Sequence, residues 1–148
     1  MTSRELLEWA DECSDGDREA AWRSAVHCAY YSAFHAARRL LRLAGFAVPD
    51  ADRAHSYFWL RLSNSGHPEV AQAGAALSAL RSVRNQADYD LELIFSRRDA
   101  TSQVALGEGV VDLLELVAES PETLSRIAQT MREYERDVLR GVTWRGTE

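Results

Sequence analysis

Apolar residues recur along this chain at the three- and four-residue steps of an amphipathic helix, and breaks between the runs divide it into helical segments. Ser3 can cap a first short helix over about residues 4–13, where Leu6, Leu7 and Ala10 form an apolar side and Ser14 to Gly16 end it. A second begins near Asp17 and runs to Gly45, a suitable residue for the turn after a helix, with Phe46 to Asp52 as the following loop. A third covers about residues 53–62, and Ser63 to Pro68 forms a turn. The fourth runs from Pro68, a good first-turn proline, to about Tyr89. After an irregular stretch through Arg97 and Arg98, a fifth spans about residues 102–119, with Gly107 and Gly109 weakening its start. Ser120-Pro121-Glu122 then reads as a cap with proline in the first turn, opening a last helix to Arg140 that Gly141 closes. The expected fold is all-α: one domain over residues 1–148, a four-helix bundle with short N-terminal and C-terminal helices added.

Two faces carry candidate chemistry. On the second helix Trp22, Val26, Tyr30, Ala33, Ala37, Leu41 and Ala44 make an apolar stripe, joined by Ala29, Ala36 and Leu40. Opposite it, Arg23, His27, Tyr31, His35, Arg38 and Arg42 follow one another at spacings of four, four, four, three and four. Such a ladder can neutralise phosphates with Arg while Tyr and His stack on bases, and it serves equally as a solvated outer face or a homodimer interface. On the fourth helix Val70, Ala73, Leu77, Leu80, Val83 and Ala87 form the buried stripe, and Arg81, Arg84, Asn85 and Asp88 line one edge. Arg84 and Asp88, one turn apart, can pair as ions. Alternatively Arg84 points at a scissile phosphate while Asn85 and a neighbour orient a 2′-hydroxyl.

Composition narrows the chemistry. All 17 basic residues are Arg, so a Schiff-base lysine and a Walker-type phosphate lysine are both excluded. The net charge of −6 argues against a general nucleic-acid binder, yet it is segregated: −5 over residues 1–19, +5 over 20–87 and −6 over 88–148. Between Glu19 and Asp50 there is no acid at all. Cys13 and Cys28 lack metal-type spacing and are expected as reduced thiols. His27 and His35 stand two turns apart, too far to share a metal, and His55 and His67 have no visible partners, so neither a metal nor a cofactor is expected. Tyr57-Phe58-Trp59 is expected in a core or interface. With no secretory signal and no apolar run of roughly twenty residues, the reading is a cytoplasmic protein without a membrane partner.

Tyr30-Tyr31-Ser32-Ala33-Phe34-His35-Ala36-Ala37, followed some fifty residues later by Arg84-Asn85-Gln86-Ala87-Asp88-Tyr89, resembles the HEPN domains of prokaryotes (higher eukaryotes and prokaryotes nucleotide-binding) over roughly residues 17–92. The resemblance implies a helical bundle that dimerises and acts on RNA in a toxin–antitoxin or defence system, with a nucleotidyltransferase as partner. On the RNA-directed reading a composite cleft forms at the homodimer interface, with Arg84, Asn85, Asp88 and Tyr89 at its chemistry, and the ladder of Arg23, His27, Tyr31, His35, Arg38 and Arg42 together with Arg81 lines it toward the RNA. In active HEPN ribonucleases the arginine is followed, after four to six residues, by histidine. Here Arg84 is followed after four residues by Tyr89, and no histidine comes later in the chain. A phenol with an ordinary pKa near 10 is a poor base at neutral pH, where imidazole is naturally poised. A non-catalytic helical module that binds a nucleotidyltransferase or another effector therefore stands beside the ribonuclease reading. Its acidic ends would dock the partner together with a last-helix face of Leu124, Ile127, Met131, Tyr134 and Val138.

Overall fold

Thr2, one residue ahead of the expected Ser3, opens the first helix: its hydroxyl accepts from the Glu5 amide while the Glu5 carboxylate accepts from the Thr2 amide. A computed structural model describes residues 1–146. It comprises α1 Ser3–Ser14, α2 Glu19–Leu43, α3 Ala51–Ser63, α4 Pro68–Tyr89, α5 Arg97–Ala118 and α6 Pro121–Tyr134, with a π-helical turn over Glu135–Leu139. Helix takes 77% of the chain, so the fold class is all-α. Among the described residues the only β pairing is an isolated bridge between Phe46 and Trp144.

The chain forms two compact units. The first joins residues 1–35 to 76–111, and the second joins residues 36–75 to the chain from Asp112 onward. In the first unit Val26 of α2, Ala87 of α4 and Phe95 of the α4–α5 connection pack together with Val83 against them. Gly107 of α5 is placed where an added Cβ would lie 3.0 Å from the Ala29 carbonyl oxygen, so α5 meets α2 at backbone distance. That contact gives this glycine a structural reason inside a helix.

In the second unit Leu40, Leu41, Phe58, Leu62, Val70, Leu114, Ile127 and Met131 are fully buried or nearly so. The end of α2 is latched by the C-terminal segment. Gly45 takes φ 101°, the Trp144 indole donates to the Ala44 carbonyl (2.9 Å), and the Arg145 amide donates to that of Gly45 (2.7 Å). In the same unit Arg61 and Glu135 form a buried ion pair, with Glu135 Oε2 accepting from Arg61 Nε (2.9 Å) and Nη2 (2.6 Å). The Thr143 amide (3.0 Å) and hydroxyl also donate to Glu135, and the Arg61 guanidinium lies over the Tyr57 ring. Tyr57 and Phe58 are thus core, as expected, whereas Trp59 is exposed.

Beyond the α1 cap, α3 begins at Ala51, two residues inside the expected loop, and three further boundaries differ for local reasons. α2 starts at Glu19 rather than Asp17, because the Gly16 carbonyl is taken by the Trp22 indole (2.9 Å) and the chain bends there. α5 starts at Arg97, five residues early, because Ser96 and Asp99 cap each other reciprocally: the Ser96 amide donates to Asp99 Oδ2 (2.8 Å) and the Asp99 amide to Ser96 Oγ (3.1 Å). α6 gives way to the π turn at Glu135, and the left-handed residue that ends it is Arg140 (φ 54°), one position before the expected Gly141. Ser120 and Pro121 do open α6 as read from sequence.

Candidate functional site

The last two turns of α4 and the first half of α2 lie together in the first unit, and the expected site residues divide according to how they meet there. Arg84 donates from Nη2 to the Tyr31 hydroxyl and from Nη1 to Asn85 Oδ1 (2.6 Å). Its Nε stands 3.1 Å from Asp88 Oδ2, an ion-pair contact without hydrogen-bond alignment. The guanidinium also lies within about cation–π range of two rings, 5.3 Å from the centre of Tyr30 and 5.1 Å from that of Tyr31. Its side chain keeps 15% of its exposure, so it is a framed cation with a narrow opening rather than a free surface arginine.

Asp88 has a second partner. His27 Nδ1 stands 2.9 Å from Oδ2 and 3.2 Å from Oδ1, so one carboxylate is shared between a guanidinium and an imidazole. The His27 ring leans on Tyr31, with centroids 4.8 Å apart, and its side chain is 44% exposed. Tyr31 therefore touches both groups and holds them in one cluster.

Arg23, the first rung of the ladder, works on the end of α4. Nη1 donates to the carbonyls of Ala87 (2.9 Å) and Asp90 (3.0 Å), Nη2 donates to that of Leu93, and Glu19 Oε1 accepts from Nε (3.0 Å) and Nη2 (2.9 Å). A cation on the last carbonyls of a helix satisfies orphan acceptors and complements the helix dipole. The same Glu19 carboxylate accepts from the Phe95 amide (3.1 Å), chiefly that bond and then Arg23 holding it below the ordinary carboxylate value. The expectation of an outer ladder is thus corrected for its first half: Arg23, His27 and Tyr31 turn onto α4 within one chain. His35, half-buried, continues the aromatic run beside Phe34, with ring centres 5.3 Å apart.

The other expected residues stand apart. Arg38 is half-buried and Arg42 exposed, both in the second unit, and Arg81 is exposed in the first. Tyr89 is 78% exposed, and none of the polar contacts of Arg84 reaches it, so the residue at the expected histidine position does not join the cluster. Burial raises the Tyr30 phenol above its ordinary value, reinforced by Tyr31 and opposed by Arg81 and Arg84. Burial, with Cys13 and Asp88 adding to it, likewise raises the Cys28 thiol, which argues against a nucleophilic thiolate.

His27 stands on the ladder in sequence, with no partner legible there. The pairing with Asp88 spans 61 residues, and only the four-residue step from His27 to Tyr31, matched by the step from Arg84 to Asp88, hinted that two pairs could mesh. Among the described residues no three His, Cys, Asp or Glu side chains gather as a metal site, and no helix is long and apolar enough to cross a membrane. No family model, curated protein or solved structure matches the chain.

Proposed function

We propose that the chain is a HEPN-type, RNA-directed component of a bacterial toxin–antitoxin or defence system, working as a homodimer. One observation carries this reading. The two motifs behind the resemblance fold onto each other: Tyr31 of the first meets Arg84 of the second, with Asp88 and Asn85 completing a cluster that is polar, cationic and aromatic, and partly open. A guanidinium framed by aromatic rings is suited to a phosphate flanked by a stacked base. The test is binding of a fluorescent pool of single-stranded RNA by the wild type and by Arg84→Ala, read by anisotropy. Affinity falls at least tenfold in the variant on this reading, and equal affinity removes it.

A different feature favours the second reading, a non-catalytic helical module that binds a nucleotidyltransferase or another effector. Tyr89, Leu91 and Ile94 stand exposed in and just after the last turn of α4, an apolar group of the kind that covers a protein interface. The last helix is less available for docking than its pattern suggested, since Ile127 and Met131 are buried within their own unit. Under this reading Leu91→Asp with Ile94→Asp abolishes partner capture and leaves RNA affinity unchanged.

A further inference from the structure

The chain lacks a histidine after Arg84, and the fold brings one from elsewhere. We infer that His27 is the catalytic base of this site, taking the proton from an RNA 2′-hydroxyl in place of the side chain at position 89. The inference rests on the RNA-directed reading and adds a reaction to it.

The geometry gives each group a task. His27 Nδ1 faces the Asp88 carboxylate, and in a neutral imidazole that donates Nδ1–H to it the lone pair is on Nε2. Asp88 is a positioning residue, fixing ring and tautomer as a carboxylate does behind a general base. Arg84 uses one N–H of Nη1 on Asn85 and one of Nη2 on Tyr31, which leaves one N–H on each for the non-bridging oxygens of a phosphodiester. His27 and Arg84 meet at the same Asp88 oxygen, so proton acceptor and phosphate binder stand on either side of one carboxylate. The charged and titratable groups that meet the imidazole are Tyr31 on α2 and Asp88 on α4, with Arg84 on the same Asp88 oxygen.

The step balances with water alone as co-reactant. Nε2 takes the 2′-hydroxyl proton, the 2′-oxygen bonds to phosphorus, and the bond from phosphorus to the 5′-oxygen breaks. The leaving oxygen takes a proton from water, and the imidazolium returns its proton to solvent. The products are a 2′,3′-cyclic phosphate end and a 5′-hydroxyl end.

The experiment follows cyclic-phosphate formation from the same RNA pool between pH 5 and 9, with anisotropy in parallel, for wild type, His27→Ala, His27→Gln and Asp88→Asn. His27→Gln keeps an N–H donor for Asp88 and removes the base, so it reports even if the alanine variant is poorly folded. Loss of the base lowers the rate by about 10²- to 10⁴-fold. RNA affinity stays within a few-fold of wild type, the acidic limb of the pH profile disappears, and added imidazole restores part of the rate of His27→Ala. In Asp88→Asn that limb shifts. An unchanged acidic limb in both His27 variants overturns the inference and leaves RNA-directed function standing. So does wild-type protein that binds RNA through Arg84 and forms no cyclic phosphate at any pH. Wild type that neither binds nor cleaves RNA overturns both.

Discussion

Arg84 shows how burial changes what a single substitution reports. Sequence leaves two cases for Arg84 and Asp88: an exposed pair worth well under 1 kcal/mol, or a buried one whose loss costs several. In the fold the guanidinium also braces Tyr31 and Asn85 with little exposure, so Arg84→Ala costs about 1–3 kcal/mol, and thermal unfolding beside RNA binding on the same variant separates the two effects. The deeper ionic site is Arg61 with Glu135. Removing the carboxylate in Glu135→Ala leaves a buried guanidinium unpaired and costs about 3–5 kcal/mol, measured by urea unfolding. Burial alone would raise the Glu135 carboxyl, but hydrogen bonds from Thr143 and Arg61 outweigh it and hold the group below its ordinary value. A lowered folded pKa means this contribution is whole above about pH 4.3 and is lost as pH falls through the lower folded value. Wild-type melting temperature should therefore drop more steeply below pH 4 than that of Glu135→Gln, and parallel curves would contradict this role.

Elements were legible where one face of the chain carried the pattern, and lost where a local bond decided the matter. The apolar stripes of α2 and α4 are buried at Val26, Ala33, Ala37, Leu41, Val70, Leu77 and Leu80, because a period of 3.6 residues is a property of sequence alone. The start of α5 was missed because Ser96 and Asp99 cap it with an Asp where a Glu or Gln is the usual signal. The π turn was missed because no periodicity announces a single-residue slip, although the buried Glu135 sits at its first position. The two glycines of α5 looked alike in sequence and differ in the fold. An added Cβ at Gly109 meets nothing within 4 Å, whereas one at Gly107 meets the backbone of Ala29. Gly109→Ala should raise stability by about 0.5–1 kcal/mol through helix propensity, and Gly107→Leu should lower it by about 1–3 kcal/mol through overpacking against α2. Chemical denaturation of the two variants checks the opposite signs.

For the whole molecule the decisive quantity is charge, since a chain of net −6 that binds RNA must do so through a local field. The site residues that sequence placed on that field were legible as types, but not their partners. Arg23 looked like a phosphate contact, yet its guanidinium is occupied by three carbonyls and Glu19, while Arg42 and Arg81 remain exposed. Phosphate contacts on single strands release counterions, and each one contributes about −0.7 to the slope of log affinity against log salt. Arg42→Gln and Arg81→Gln, made separately, should each make that slope shallower by about 0.7 if the side chain meets a phosphate. Arg23→Gln should instead destabilise the fold and leave the slope as it was. Light scattering on the same samples tests the homodimer, which requires a mass of about twice 16.6 kDa. A monomer whose salt slope survives both exposed-arginine variants would confine the RNA contacts to the Arg84 cluster of one chain. A monomer with no salt dependence at all would remove the RNA reading and leave the exposed apolar group of Tyr89, Leu91 and Ile94 as the working surface.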